Sequence, residues 1–143
     1  VNMKAKAALR NGIKPIICVG ETAGERDSGE AESVIKNQLA QSLDTLVDIS
    51  GTIIAYEPVW AIGTGESATP TIANNMMGGL KETLISVVGP EAYEIPIIYG
   101  GSVNSSNTAD FIKCEFINGL LVGSASLDGG HFIDIIKESS KVA

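Results

Sequence analysis

The sequence predicts an α/β fold in which short parallel strands alternate with helices. Four apolar runs recur along the chain, and each is followed by a glycine-rich or polar loop and then by a stretch with helical periodicity. The runs are continuous rather than alternating, as expected for strands that are buried on both faces of a parallel sheet. They cover residues 15–19, 52–56, 95–99 and 119–122.

The helices are predicted from apolar positions that share one face. Residues 3–11 are typical of the end of a helix that stops before Gly12, and no capping signal precedes them. After the first strand, one helical face is formed by Ile35, Leu39, Leu43 and Leu46.

The second crossover has the clearest helix start. Thr69 is predicted as the N-cap and Pro70 as the first helical residue. The apolar stripe that follows is Ile72, Met76, Leu80, Leu84 and Val88. Two shorter helices are expected, from about 106 to 116 and from about 130 to 137, and the second should turn Phe132, Ile133 and Ile136 inward.

Composition excludes several classes of function. The formal net charge of −7 and the pI near 4.6 argue against nucleic acid or an anionic membrane as partner. The sequence has neither an apolar run of membrane-spanning length nor a signal-peptide core, so a cytoplasmic protein is expected. Cys18 and Cys114 lack the spacing of a zinc site or disulfide scaffold, and we expect reduced packing residues, with no metal and no cofactor.

Glu57 stands directly after the second predicted strand and before Pro58, which starts a loop. A carboxylate there can act as a base if a dry surrounding raises its pKa. For a glutamate without context, an exposed or backbone-satisfied carboxylate is the commoner situation. The loop that follows, with Trp60 and two glycines, has the composition of a lid over a small ligand.

Small residues also follow the last two predicted strands. Gly100-Gly101-Ser102 and Gly123-Ser124 allow backbone N–H groups to approach an anion closely. Either segment alone is common in the turns and loops that follow strands. Together with Glu57, the two loops favour a phosphate site. The repeat itself still permits either an open doubly wound sheet or a closed barrel.

Three segments together resemble triosephosphate isomerases: residues 55–65 (AYEPVWAIGTG), 99–103 (YGGSV) and 121–127 (LVGSASL). The resemblance runs along the whole chain and implies a (β/α)8 TIM barrel, of which residues 1–143 would be the C-terminal half, units five to eight of a single barrel domain. It implies interconversion of dihydroxyacetone phosphate and D-glyceraldehyde 3-phosphate in glycolysis and gluconeogenesis, without a cofactor, and a homodimer for the full-length parent.

The resemblance also implies roles for residues. Glu57 would be the catalytic base, with Cys18 packed beneath it and not a nucleophile. Substrate phosphate would be bound by the backbone N–H groups of Gly63, Ser102, Gly123 and Ser124. Tyr99 and Ser102 would latch the closed lid. The lid residues would be Pro58, Val59, Trp60, Ala61, Ile62, Gly63, Thr64 and Gly65.

The sequence departs from the family pattern at Ser124, where a second glycine is usual, and at Glu66, where many relatives have lysine. The family also uses a neutral histidine, a lysine and an asparagine that match no position here. The one histidine, His131, stands at the start of the last predicted helix, far in sequence from every motif, and is expected to be a solvated helix-end residue rather than a catalyst.

Two alternatives to the isomerase therefore stay open. The first is a non-catalytic half-barrel that binds phosphate or a partner. The second is another phosphate-binding barrel enzyme, such as one acting on a ribulose phosphate, which shares the phosphate site but does not explain Glu57 and the lid. The 143 residues alone are expected to be inactive and to self-associate or be molten, because half a barrel has open edges.

Overall fold

The computed structural model describes residues 1–46, 49–62 and 67–142. Its helices are α1 (Asn2–Arg10), α2 (Ala23–Asp27), α3 (Ala31–Leu43), α4 (Pro70–Val88), α5 (Thr108–Ile112) and α6 (Gly129–Ser140), and its strands are β1 (Ile16–Val19), β2 (Ile53–Tyr56) and β3 (Ile97–Tyr99). Short 3₁₀ turns cover Val59–Ala61, Pro90–Glu94 and Ser124–Leu127. None of the described helices has the length and apolar character needed to span a bilayer.

The strands form one parallel sheet in the order β1-β2-β3, which confirms the predicted βα repeat. Cys18 pairs with Ala55, and Tyr56 pairs with Tyr99. The predicted fourth strand is reduced to an isolated parallel bridge between Tyr99 and Leu120. The pairing is short because β3 has only three residues. The residue before β3, Pro96, has no N–H to donate.

The core lies between the sheet and helices α3 and α4. On α3 the predicted residues Ile35, Leu39 and Leu43 are buried, and Leu46 packs against the edge of the core. On α4 the predicted Leu80 and Leu84 are buried.

The start of α4 is as predicted, but its buried face is shifted. Thr69 accepts a hydrogen bond from the backbone N–H of Ile72 at 3.2 Å, and Pro70 is the first helical residue. Ala73 and Met77 are buried, whereas Ile72 is 49% exposed. Met76 and Val88 are only partly buried. Because Ala73 is small, α4 can approach the sheet closely on this side. The row of side chains that includes Ala73 therefore faces the sheet.

One face of β1 is open, against the prediction that its residues are buried on both sides. Ile17 and Val19 face the helices and are buried, whereas Ile16 and Cys18 alternate with them and are exposed. None of the described elements covers that side of β1. Cys18 is therefore not the core residue that the sequence predicted.

The last two helices also differ from the prediction. α5 is shorter, because Asn104 Oδ1 accepts hydrogen bonds from the backbone N–H groups of Ser106 (2.9 Å) and Asn107 (3.2 Å) and forms a turn there instead. α6 buries Ile135, while the residues expected to point inward are exposed. These are Phe132 (37%), Ile133 (51%) and Ile136 (52%). Among the described elements α6 packs mainly on α5 and the last 3₁₀ turn, so it has little apolar surface to face.

Candidate active site

Glu57 extends the parallel ladder one residue beyond β2. Its backbone N–H donates to Val19 O at 2.8 Å, and the N–H of Gly100 donates to Tyr56 O at 2.8 Å. A Cβ on Gly100 would lie 2.5 Å from Glu57 Cγ, and one on Gly20 would lie 1.7 Å from Glu57 O. Glycines on both neighbouring strand ends are therefore required for Glu57 to sit between them.

Gly20 is itself held from α3. Gln38 accepts a hydrogen bond from the N–H of Gly20 at 2.9 Å and donates one to its carbonyl oxygen at 3.0 Å. Sequence reasoning missed this support, because glutamine eighteen positions away on a helix carries no local signal. The backbone around Glu57 is thus fixed by two glycines and one amide side chain.

Cys18 reaches the carboxylate of Glu57 from the open face of the sheet. Partial desolvation of the thiol by its neighbours, followed by a hydrogen bond to Glu57 and the charge of that carboxylate, raises the pKa of the Cys18 thiol from 9.0 to about 11, although the residue as a whole is exposed. The thiol stays protonated and donates to the carboxylate, which argues against a nucleophile. Cys18 was expected to pack against Glu57, and this contact agrees with that expectation. It was also expected to be a core residue, which its exposure contradicts.

A cleft of about 690 Å³ opens in front of Glu57. The residues lining it are Glu57, Ile62, Gly100, Gly101, Ser102, Val103, Asn104, Leu121, Val122, Gly123, Ser124, Ala125 and His131. The fold therefore brings the loops after β2, β3 and the Leu120 bridge together at the carboxyl ends of the strands. The predicted residues Gly63, Thr64 and Gly65, and the departure at Glu66, lie outside the described residues.

Several residues that line this cleft have backbone N–H groups without a partner in the described part of the chain. The N–H groups of Ser102, Gly123 and Ser124 donate no hydrogen bond to any residue that the structure describes. Unpaired N–H groups that converge on a cleft form a site for an anion. Ser124 starts a 3₁₀ turn, and among the described residues Thr45 is the only non-glycine with positive φ. Serine at 124 therefore needs no glycine-like backbone.

The loop after Glu57 is anchored by Glu21, a buried residue (2% exposed) whose role sequence reasoning missed. Glu21 Oε1 accepts hydrogen bonds from Trp60 Nε1 at 2.7 Å and from the Tyr56 hydroxyl at 3.1 Å. The N–H of Val59 donates to Glu21 O at 2.9 Å. Arg26 lies over the Trp60 ring at 4.3 Å. Trp60 is thus held by Glu21 and Arg26 at the first turn of the loop.

The buried carboxylate of Glu21 also affects the pKa of the side chain that donates to it. Burial, and after it the charge of Glu21, raises the pKa of the Tyr56 hydroxyl, so Tyr56 remains a hydrogen-bond donor. Glu21 Oε2 is buried without a hydrogen-bond partner among the described residues. Pro58 and Ala61 are buried beside the anchor, whereas Val59 and Ile62 are 48% and 50% exposed.

Tyr99 and Ser102 hold the two ends of the same loop. The Ser102 hydroxyl donates to Ala61 O at 2.8 Å, and the backbone N–H of Ala68 donates to the Tyr99 hydroxyl at 3.2 Å. A Cβ on Gly101 would lie 2.1 Å from the Tyr99 hydroxyl oxygen, so glycine is required for this contact. The two residues expected to latch the loop therefore contact it directly.

His131 lies in the first turn of α6 and lines the cleft. This agrees with the expectation of a helix-end residue, although the side chain is half-buried. α6 begins two residues after the 3₁₀ turn Ser124–Leu127, so His131 lines the same cleft as Gly123 and Ser124. No group of His, Cys, Asp and Glu within the described residues has the arrangement of a metal site.

Comparison with known proteins shows which family and which relatives this chain resembles. The family model described as Triosephosphate isomerase matches residues 1–139. Triosephosphate isomerase of Herpetosiphon aurantiacus is 48% identical over 140 residues, which is 96% of this chain and 56% of that protein. The enzymes of the same name from Dehalococcoides mccartyi and Xanthobacter autotrophicus are 43% and 47% identical, over 99% and 96% of this chain and 56% and 54% of their own lengths. The chain spans about half the length of the curated relatives it matches.

Proposed function

Because the chain belongs to the triosephosphate isomerase family, we propose that it provides the base, the lid and the phosphate site of a triose-phosphate isomerase. Its parallel strands and covering helices have the α/β character of that family's fold. The observation that carries the proposal is the cleft, which is lined by Glu57 together with Ser102, Gly123 and Ser124, whose N–H groups donate no hydrogen bond to a described residue.

The chemistry follows from this arrangement. A ketose phosphate held by its phosphate at the three N–H groups presents its reacting carbons to Glu57. The carboxylate removes a proton from the hydroxyl-bearing carbon next to the carbonyl, which leaves an enediolate, and then returns the proton to the former carbonyl carbon, while the hydroxyl proton moves from the first oxygen to the second. No electrons leave the substrate and Glu57 ends in its starting form, so neither a redox partner nor a cofactor is required. Cys18 orients the carboxylate by donating a hydrogen bond to it.

The loop from Pro58 to Gly65 serves as the lid in this proposal. Its first turn is fixed by Glu21, and its ends are held by Ser102 and Tyr99. Closure over the cleft would exclude water from the enediolate and add the N–H of Gly63 to the phosphate site. The carbonyl of the substrate also needs an electrophilic donor, which in this family comes from histidine and lysine positions that this sequence does not match.

The second candidate is a half-barrel that binds phosphate without chemistry. It is favoured by one observation: the titratable side chains that line the described part of the cleft are Glu57 and His131 alone. Phosphate binding without turnover would support this candidate. Turnover of dihydroxyacetone phosphate by a protein with this sequence would exclude it.

The test of the isomerase is Glu57→Gln in the full-length protein that carries this sequence. We expect kcat to fall by at least about 10²–10⁴-fold, because the amide cannot accept the proton. Inorganic phosphate should still bind, since its donors are backbone N–H groups. Glu138→Gln, a change of the same kind on the surface of α6, should leave kcat unchanged. Near-normal turnover of Glu57→Gln would refute the proposal.

The metabolic role, the location and the assembly of the protein are also part of the proposal. A triose-phosphate isomerase would act in glycolysis and gluconeogenesis in the cytoplasm, with a phosphorylated triose as its ligand. The barrel would be completed as a single domain, and the full-length protein would be a homodimer. Mass measurement of the native assembly under non-denaturing conditions tests the dimer.

A further inference from the structure

Asn107 stands at the start of a helix but does not cap that helix with its side chain. It is the N-cap residue of α5, a position where asparagine is favoured because its side-chain oxygen accepts a hydrogen bond from a backbone N–H of the first turn. The side chains of Thr69 on α4 and Asp128 on α6 make this bond. The side chain of Asn107 makes none to α5, so it serves another part of the chain.

Both ends of the Asn107 amide contact the loop that follows β3. Nδ2 donates to Ser102 O at 3.0 Å, and Oδ1 accepts from the backbone N–H of Asn104 at 2.9 Å. Only this orientation of the amide satisfies both partners, because a carbonyl oxygen needs a donor and an N–H needs an acceptor. The side chain thus closes a bracket across residues 102–104, and all three of these residues line the cleft.

The bracket has a fixed base. Thr108, the residue after Asn107, is fully buried and donates its hydroxyl to Asn104 O at 2.7 Å. The backbone N–H of Asn107 donates to Asn104 Oδ1 at 3.2 Å. A loop that is already held in this way loses little conformational freedom when a ligand binds, so the bracket preorganises this side of the cleft.

Ser102 is the residue that the bracket positions. Its carbonyl oxygen accepts from Asn107, and its hydroxyl donates to Ala61 O at 2.8 Å in the loop after Glu57. Its backbone N–H donates no hydrogen bond to any residue that the structure describes. With the carbonyl and the hydroxyl both engaged, Ser102 is held in one orientation and its N–H is left for a ligand.

We infer that Asn107 is a positioning residue for the anionic group of the ligand: it holds Ser102 so that the N–H of Ser102 can donate to a phosphate in the cleft. This role rests on the proposed function, because it presumes a phosphorylated ligand. Asn107 is not among the residues that line the cleft, so its effect on binding acts through Ser102.

The experiment uses the full-length protein that carries this sequence. Asn107→Ser removes the amide but keeps a favoured N-cap residue, so α5 retains its start, and the shorter hydroxyl cannot replace both contacts. Asn107→Leu removes the amide with a side chain of similar size. Asn37→Ser is the matched control, since Asn37 is exposed on α3 and does not line the cleft, and asparagine and serine have similar helix propensities.

Three quantities are measured for each protein. They are the Kd for glycerol 3-phosphate by calorimetry, the KM and kcat for dihydroxyacetone phosphate, and the urea unfolding curve, which identifies the variants that are folded under the assay conditions.

We expect Asn107→Ser and Asn107→Leu to raise Kd and KM about three- to tenfold, the range that corresponds to one net hydrogen bond. The kcat should stay within about twofold of the wild type, because a phosphate contact that is present in both the bound substrate and the transition state is uniform binding. A residue that only stabilised the fold would change the unfolding curve without this increase in Kd and KM. Asn37→Ser should match the wild type.

A folded Asn107→Ser whose Kd and KM both equal those of the wild type would overturn the role of Asn107, and so would a lower kcat at unchanged KM. Either result leaves the proposed function standing. If Asn107→Leu does not fold, Asn107→Ser decides. A wild type that binds glycerol 3-phosphate without turnover would refute the proposed isomerase, while the comparison of Kd values would still decide the role of Asn107. Absence of both binding and turnover in the wild type would refute the proposed function, and the role of Asn107 with it.

Discussion

Replacement of Gly100 by alanine is the sharpest test of how the fold positions Glu57. The added Cβ would lie 2.5 Å from Glu57 Cγ, whereas unstrained carbon atoms approach to about 3.5–4.0 Å. Relief of the contact requires a displacement of about 1 Å, and either the base or the strand end has to move. The backbone at Gly100 has no positive φ, so crowding is the only cost of the substitution.

Two measurements follow from that displacement. The free energy of unfolding should fall by about 1–3 kcal/mol, as for other overpacked sites. In the full-length protein kcat should fall by about 10²-fold, because a misplacement of about 1 Å of a catalytic group has that effect. Urea unfolding followed by circular dichroism gives the first value, and the rate of triose-phosphate isomerisation gives the second.

Gly79→Ala is the matched control. Gly79 lies inside α4, and its added Cβ would meet only Glu32 Oε1 and Lys36 Cε, both at 3.9 Å. Alanine in a helix interior is favoured over glycine, so this variant should gain about 0.5–1 kcal/mol. Gly100→Ala with unchanged stability and a kcat within twofold of the wild type would refute the steric account of Glu57.

Three more predictions concern Glu21, which anchors the loop after Glu57, and Cys18, which contacts Glu57. Glu21→Ala should lower the free energy of unfolding by about 2–4 kcal/mol in urea titration, because it leaves the Tyr56 hydroxyl and Trp60 Nε1 without their shared acceptor; a loss below about 0.5 kcal/mol would contradict that anchor. Alkylation of Cys18 by iodoacetamide, followed by mass spectrometry, should stay slow until the pH nears about 11, and Glu57→Gln should accelerate it. Since the folded pKa lies above the ordinary 9.0, the stability contributed by the protonated thiol should be lost between pH 9 and about 11.

The sequence predicted most of the local structure around the sheet. Continuous apolar runs identified β1 to β3, and the Thr69-Pro70 pair identified the start of α4. These signals are local, because they depend on burial of whole segments and on the hydrogen bonds of a helix end.

The same reasoning failed for residues whose burial depends on whether another element packs against their side of the helix. Periodicity showed that α6 has an apolar stripe, but Phe132 and Ile136 are exposed because few described elements lie against them. The cleft shows the same limit. Its Gly100 was predicted to serve a phosphate, whereas its contact with Glu57 depends on two strand ends meeting in the sheet. The contacts of Glu21 carried no local signal, since Tyr56 and Trp60 are distant from it in sequence.

The contacts that anchor the loop after Glu57 have an optical consequence. Trp60 is the only tryptophan of the sequence, and its indole lies between the carboxylate of Glu21 and the guanidinium of Arg26. A carboxylate near the pyrrole ring and a cation over the ring both shift indole emission, and the tryptophan fluorescence of residues 1–143 comes from this single position at the start of the loop. Loss of these contacts can therefore be followed in solution, with excitation selective for tryptophan, without attaching a dye.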